Sequence, residues 1–147
     1  MKLVRDVIQE KALKELISVE PSTPLLSAAE LMTRWNVGSL LVMTGSTLQG
    51  IVTERDYVRS VVAAGRSPIG LTVEDIMSRP VHVVPGDLST EDCMGLMTHL
   101  RLRHLPVMEG FEVLGVVSIG DLVKDVISEQ TFVIEQLERY IMRAANA

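Results

Sequence analysis

The sequence predicts a mixed α/β (α+β) fold: two β-α-β-β-α repeats packed with pseudo-two-fold symmetry, followed by an extended C-terminal helix. Three observations carry this prediction. The chain matches itself at an offset of 65 residues. Each copy holds two short apolar runs around a Gly-containing turn, which is the pattern of a β-hairpin. Apolar residues at helical spacing then continue well past the second copy.

The self-match decides the architecture and comes first. It places Leu31-Met32-Thr33 on Leu96-Met97-Thr98, Leu40 on Leu105, Val42-Met43 on Val107-Met108, and Gly50 on Gly115. With Gly45, Val52, Asp56, Val58 and Val61 it gives 12 identities in the 32 positions of Leu31–Val62, without a gap. A unit of this size buries too little surface to stand well alone, so the two copies are expected to pack together and place equivalent loops side by side.

An N-terminal helix is expected over Leu3–Ile8. In the first repeat, Glu15–Val19 reads as a strand and Pro21-Ser22-Thr23-Pro24 as a turn. Leu25, Ala28, Ala29, Met32 and Trp35 recur at helical spacing. Ser39–Met43 and Leu48–Val52 form the hairpin, and Glu54–Ala64 a second helix. The second repeat repeats this order: strand Val81–Val84, turn Pro85-Gly86-Asp87, helix Leu88–Leu100, hairpin His104–Met108 with Val113–Val117, and a last helix from Ile119. Gly65 to Leu71 reads as a linker. The resulting boundaries are 1–66 for the first repeat with its N-terminal helix, 67–128 for the second, and 129–147 for the helical extension.

Composition narrows the function. Of 147 residues 47% are hydrophobic and 3% aromatic, so the core must be aliphatic. The net charge of −5, with no basic cluster, argues against a nucleic-acid binder. Cys93 is the one cysteine, which excludes an intramolecular disulfide and a cysteine-based zinc site. The N-terminus has no apolar signal segment. The uncharged stretch Trp35 to Thr53 is broken by Thr44-Gly45-Ser46-Thr47-Leu48-Gln49-Gly50, which is turn chemistry, so no membrane span is expected. A soluble, cytoplasmic protein is the expectation.

Where each hairpin runs into the following helix, the repeats read Gly50-Ile51-Val52-Thr53-Glu54-Arg55-Asp56 and Gly115-Val116-Val117-Ser118-Ile119-Gly120-Asp121. The hydroxyl caps a helix start, whose N–H groups and partial positive charge suit a phosphate. An Asp three residues on can accept two hydrogen bonds from a ribose diol. A capping box explains a single copy equally well. Two copies at equivalent places shift the weight toward a ligand.

With both copies in place, the sequence closely resembles a tandem cystathionine-β-synthase (CBS) domain pair, or Bateman module, from about Val4 to Ile127. The Asp75-Ile76-Met77 and Arg103-His104-Leu105-Pro106-Val107 segments also fit. The resemblance implies binding of an adenosine-containing ligand (AMP, ADP or ATP, with NAD and S-adenosylmethionine as further candidates) in two clefts between the repeats. It implies no catalytic cofactor, and Mg2+ only alongside ATP. It places Asp56 and Asp121 on the ribose and Thr53 and Ser118 near the phosphate. Gly38, Ser39, Arg103 and His104 then face phosphate or base, and Ile17, Ser18, Val81 and His82 line the adenine. Val116, beside Ser118, belongs to the same set. Asp121 is expected to work with Ile17 and Ser18, and Asp56 with Val81 and His82. Arg101, Arg103 and His104 lie beside Asp121, where the first repeat has Asn36, Gly38 and Ser39 beside Asp56. Arg55 is the first motif's own cation. The Asp121 cleft is therefore expected to be the better phosphate binder. With Trp35 on a helix, adenine is expected to lie on aliphatic and backbone groups without stacking.

His82, His99 and His104 lack metal-ligand spacing, and no metal site is expected. Cys93 reads as a small buried hydrophobe, with redox sensing the alternative. No triad, paired-carboxylate site or phosphate loop stands out, so the chain is not read as an enzyme. Ile127, Ile134, Leu137 and Ile141 form an apolar stripe whose expected role is a homodimer contact; packing on its own module is the alternative. The function expected is a sensor module that signals in trans to an unknown regulated protein. The competing reading is a scaffold of the same fold without a physiological ligand.

Overall fold

The computed structural model of the protein describes residues 2–11, 16–79 and 81–146. In chain order the elements are α1 (Val4–Glu10), β1 (Ser18–Val19), α2 (Leu25–Trp35), β2 (Ser39–Thr44), β3 (Thr47–Thr53) and α3 (Glu54–Tyr57), which runs into a π turn at Val58–Val62. They continue with α4 (Val73–Ile76), β4 (Val84–Pro85), α5 (Thr90–Leu100), β5 (His104–Glu109), β6 (Glu112–Ser118) and α6 (Ile119–Ala145). Two three-stranded sheets result, ordered β1-β2-β3 and β4-β5-β6. In each, the first pair is parallel and the second antiparallel. Each hairpin closes through a two-residue turn opened by a glycine at positive φ, Gly45 and Gly110.

The predicted strands differ most at their entries. The expected strand Val81–Val84 is instead β4, at Val84–Pro85. Its ladder stops because the next partner on β5 is Pro106, which has no N–H to give. In the first sheet Leu41 stands at the equivalent place, and its N–H does donate, to the Ile17 carbonyl at 3.3 Å. Of the strand expected at Glu15–Val19, Ser18–Val19 pairs with β2, while Glu15 lies outside the described residues. The helix expected over Glu54–Ala64 is α-helical only to Tyr57. Three valines among the next five residues crowd an α turn, and the wider π turn carries them, with the Ala63 N–H bonded to the Val58 carbonyl at 2.8 Å.

Two cores form, and the short helices are exchanged between them. One core joins Leu25, Ala28, Met32, Leu40, Val42, Val52 and Val61 with Val73 and Ile76 of α4 and Met77 just after it. The other joins Val84, Cys93, Met97, Leu105, Val107, Val117 and Leu122 with Val4 and Val7 from α1. Thus α1, grouped by sequence with the first repeat, completes the core of the second, and α4 completes the core of the first. The joints match. The Val4 N–H donates to the Leu88 carbonyl and the Val73 N–H to the Thr23 carbonyl, both at 2.9 Å. The exchange locks the two repeats into one unit and places Lys11, just after α1, against β6.

Past Ser128, α6 leaves the module. Phe132, Val133, Ile134, Leu137, Tyr140, Ile141 and Met142 are all exposed. Among the described residues, packing of this stripe on its own module is not seen.

Candidate functional site

Both motif hydroxyls cap their helices as the sequence suggests. The Asp56 N–H donates to Thr53 Oγ1 at 3.3 Å and the Thr53 N–H to Asp56 Oδ2 at 2.8 Å. The Asp121 N–H donates to Ser118 Oγ at 3.1 Å and the Ser118 N–H to Asp121 Oδ2 at 2.8 Å. The capping box is therefore formed in both repeats, and any ligand role is additional to it. The surroundings of the two carboxylates then diverge.

At Asp121 a cavity of about 680 Å3 opens between the repeats. It brings together Ile17, Gly38 and Ser39 of the first repeat with His104, Val116, Ser118 and Asp121 of the second. Its size suits a small-molecule site. The pairing of Asp121 with Ile17 is as expected, but Ser18 is not on the wall. Gly38, Ser39 and Asn36, expected beside Asp56, line the Asp121 cavity instead. The reason is packing across the pseudo-two-fold axis: Gly38 abuts the His104 ring, and a Cβ there would come 3.1 Å from His104 Nε2.

The cations differ from expectation too. Neither Arg101 nor Arg103 lines the cavity; Lys2, Lys11 and Lys124 do. Lys11 Nζ lies 3.0 Å from Asp121 Oδ2 and donates to the Val116 carbonyl at 2.9 Å. Lys2 Nζ lies 2.6 Å from both Asp125 Oδ1 and Glu10 Oε2. The bond to Asp125 is the main reason that the Lys2 ammonium pKa is raised. Asp125 is buried, and its Oδ2 has no hydrogen-bond partner among the described residues. Burial lowers the His104 pKa, with Lys11 and Arg103 adding to the effect and Glu54 and Asp121 opposing it.

Asp56 sits at a closed edge. Ser78 pairs with Ile51 of β3 in both directions, N–H to carbonyl at 2.8 and 3.2 Å, and its hydroxyl donates to Asp56 Oδ1 at 3.2 Å. A Cβ on Gly50 would come 3.0 Å from the Ser78 carbonyl oxygen and 2.9 Å from Met77 Sδ, so this glycine lets the Met77-Ser78 segment lie as a strap against β3. Arg55 turns away and donates to the Arg101 carbonyl at 2.7 Å. Val81 and His82 do not pair into the sheet and are not on the Asp121 cavity wall.

Several wall residues were missed by sequence reasoning, Asp125, Lys2, Lys11 and Trp35 among them. Asp125, one helical turn after Asp121, was within reach of the i,i+4 rule. Lys2 and Lys11 carried no signal, because they flank the exchanged helix and arrive with it. Trp35, expected to stay clear of the ligand, lines the cavity. It is the last residue of α2, and the left-handed Asn36 turns the chain there. Among the described residues no cluster of three potential metal ligands occurs, and no helix is long and apolar enough to cross a membrane. Cys93 is buried and its thiol pKa is pushed up to about 11 by that burial, as a packing residue would be.

Comparison with known proteins gives a consistent result. A family model described as CBS domain matches twice, over residues 4–63 and 73–128. The mitochondrial CBS domain-containing protein CBSX3 of Arabidopsis thaliana is 39% identical over 119 residues, covering 78% of this chain and 58% of its own length. A solved structure of a protein with CBS domains from Burkholderia ambifaria MC40-6 superposes with a TM-score of 0.83 at 42% identity, covering 88% of this chain and 96% of that one. A structure of CBSX2 in complex with AMP superposes with a TM-score of 0.71 at 25% identity, covering 87% and 98%.

Proposed function

This chain belongs to the CBS-domain family, and on that premise we propose that it is a regulatory module that binds an adenosine-containing ligand in the Asp121 cleft. AMP, ADP and ATP lead the candidates, with NAD and S-adenosylmethionine in the same class and Mg2+ accompanying ATP. The observation that carries this is the cavity of about 680 Å3 between the repeats, with Asp121 and Ser118 at the start of α6 on one side and Ile17 and Gly38 on the other. The AMP complex of CBSX2 supports the ligand class. In this reading Asp121 anchors the ribose, and the Val116 carbonyl on the β6 edge accepts from the base. Trp35 lines the same cavity, and the lysines answer the phosphate charge. The module catalyses nothing: ligand binding reweights its packings and alters a regulated protein in trans.

A thermal-shift panel of AMP, ATP, NAD and S-adenosylmethionine tests this, because a ligand of the native state raises Tm by mass action. At least one should raise it, and Asp121→Ala should abolish the rise. Silence across the panel overturns the reading in favour of a scaffold protein. The exposed apolar face of α6 favours that second reading, and it fits an interaction role in either case.

A further inference from the structure

The anchor proposed for the ligand is already occupied by the chain itself. Lys11 Nζ bridges Asp121 Oδ2 and the Val116 carbonyl, at 3.0 and 2.9 Å. A ligand that reaches from the Asp121 carboxylate to the β6 edge must pass through the position of that ammonium. Lys11 cannot withdraw far. It caps the C-terminal end of α1, which is fixed in the second repeat's core by the buried Val4 and Val7. Only its four-carbon stem is free to swing, so a displaced ammonium stays on the cavity wall. Lys2, the neighbouring cation, already holds Asp125 and Glu10 at 2.6 Å.

We propose that Lys11 is a resident counter-ion of Asp121 that makes the pocket select phosphorylated over unphosphorylated ligands. This rests on the adenosyl reading above and deepens it. A neutral nucleoside must break the Lys11 ion pair and gives the ammonium nothing in return. A nucleotide breaks the same pair but offers its phosphate to the freed ammonium. The apparent affinity of either ligand is reduced by the fraction of protein in which Lys11 holds the anchor. Only the phosphorylated one recovers that loss.

The test is isothermal titration of the full chain with adenosine and with AMP, for the native protein and for Lys11→Met, which keeps the stem and removes the charge. Adenosine should bind more tightly to the variant and AMP more weakly, so that their affinity ratio falls by about tenfold or more. A ratio unchanged within twofold or so overturns the proposal. A second arm needs no ligand: reductive methylation read by peptide mass spectrometry. Lys11 should be protected in the native protein and label faster in Asp121→Asn, whereas equal rates overturn the resident ion pair. If neither ligand binds the native protein, the adenosyl reading and this selectivity fail together. The methylation arm then still decides whether Lys11 holds Asp121.

Discussion

The Ser78 hydroxyl donates to Asp56 Oδ1 at 3.2 Å, while its backbone pairs with Ile51 on the edge of β3. At the equivalent edge of the second repeat, the Val116 carbonyl accepts from Lys11 Nζ at 2.9 Å, beside the cavity of about 680 Å3 that Asp121 lines. The Asp56 carboxylate is held by Ser78 and does not line that cavity, whereas Asp121 does, so the two motifs are expected to differ in role. One adenosyl ligand should bind per chain. Asp121→Ala should abolish binding, and Asp56→Ala should leave affinity within about twofold while lowering Tm, because it removes a capping box. Calorimetric stoichiometry and denaturation of the two variants check this; two sites per chain, or equal losses of affinity, would contradict it.

The exchanged helices make a sharper claim about stability. Val4 is remote in sequence from the second repeat but fully buried in its core. Val4→Ala should cost about 1–3 kcal/mol, by the lost transfer and the cavity left behind. Val62→Ala, at an exposed position, should change stability by less than about 0.5 kcal/mol. Urea denaturation of the two variants decides it, and equal effects would remove α1 from that core.

These elements show where sequence is readable and where it stops. The two hairpins were legible because alternation and Gly turns are local: β2 and β5 begin at the predicted Ser39 and His104. Asp121 and Ser118 were legible because the motif is local too. The exchange of α1 and α4 was not. Val4-Arg5-Asp6-Val7 and Val73-Glu74-Asp75-Ile76 announce a buried face each, but nothing in either segment says which core receives it. The strap at Ser78 was hidden for a related reason, since backbone pairing leaves little mark on residue choice. Trp35 was legible as a residue of α2, but its place on the cavity wall was not, because helical spacing gives its face on α2 and not what the turn at the left-handed Asn36 brings beside it.

His104 gives a pH dependence. Burial holds its pKa below the ordinary 6.5, so the folded state prefers the neutral ring. As pH falls below that value the unfolded chain binds the proton first, and stability declines from about pH 6.5 downward. Above it, His104 is neutral in both states and adds no slope. His104→Gln should remove this part of the decline. Denaturation midpoints at about pH 7.5 and about pH 5.5 measure it, and an identical loss in the variant would assign the decline to other groups.

The free face of α6 calls for a partner, and a second copy of the chain is the expected one. Ile134, Leu137 and Ile141 are each more than half exposed on a helix whose first turns are fixed in the core by the buried Leu122. Seven large apolar residues beyond Ser128 stand in water on a single chain, which is a stripe of the kind that two helices bury against each other. A chain ending at Ser128 keeps every residue of both cores, so it should fold with its Tm little changed when measured well below the dimer Kd. In sedimentation it should be a monomer where the full chain is a dimer, and Leu137→Asp should act the same way. A truncated chain that dimerises with undiminished affinity would place the interface elsewhere and leave α6 for a different protein.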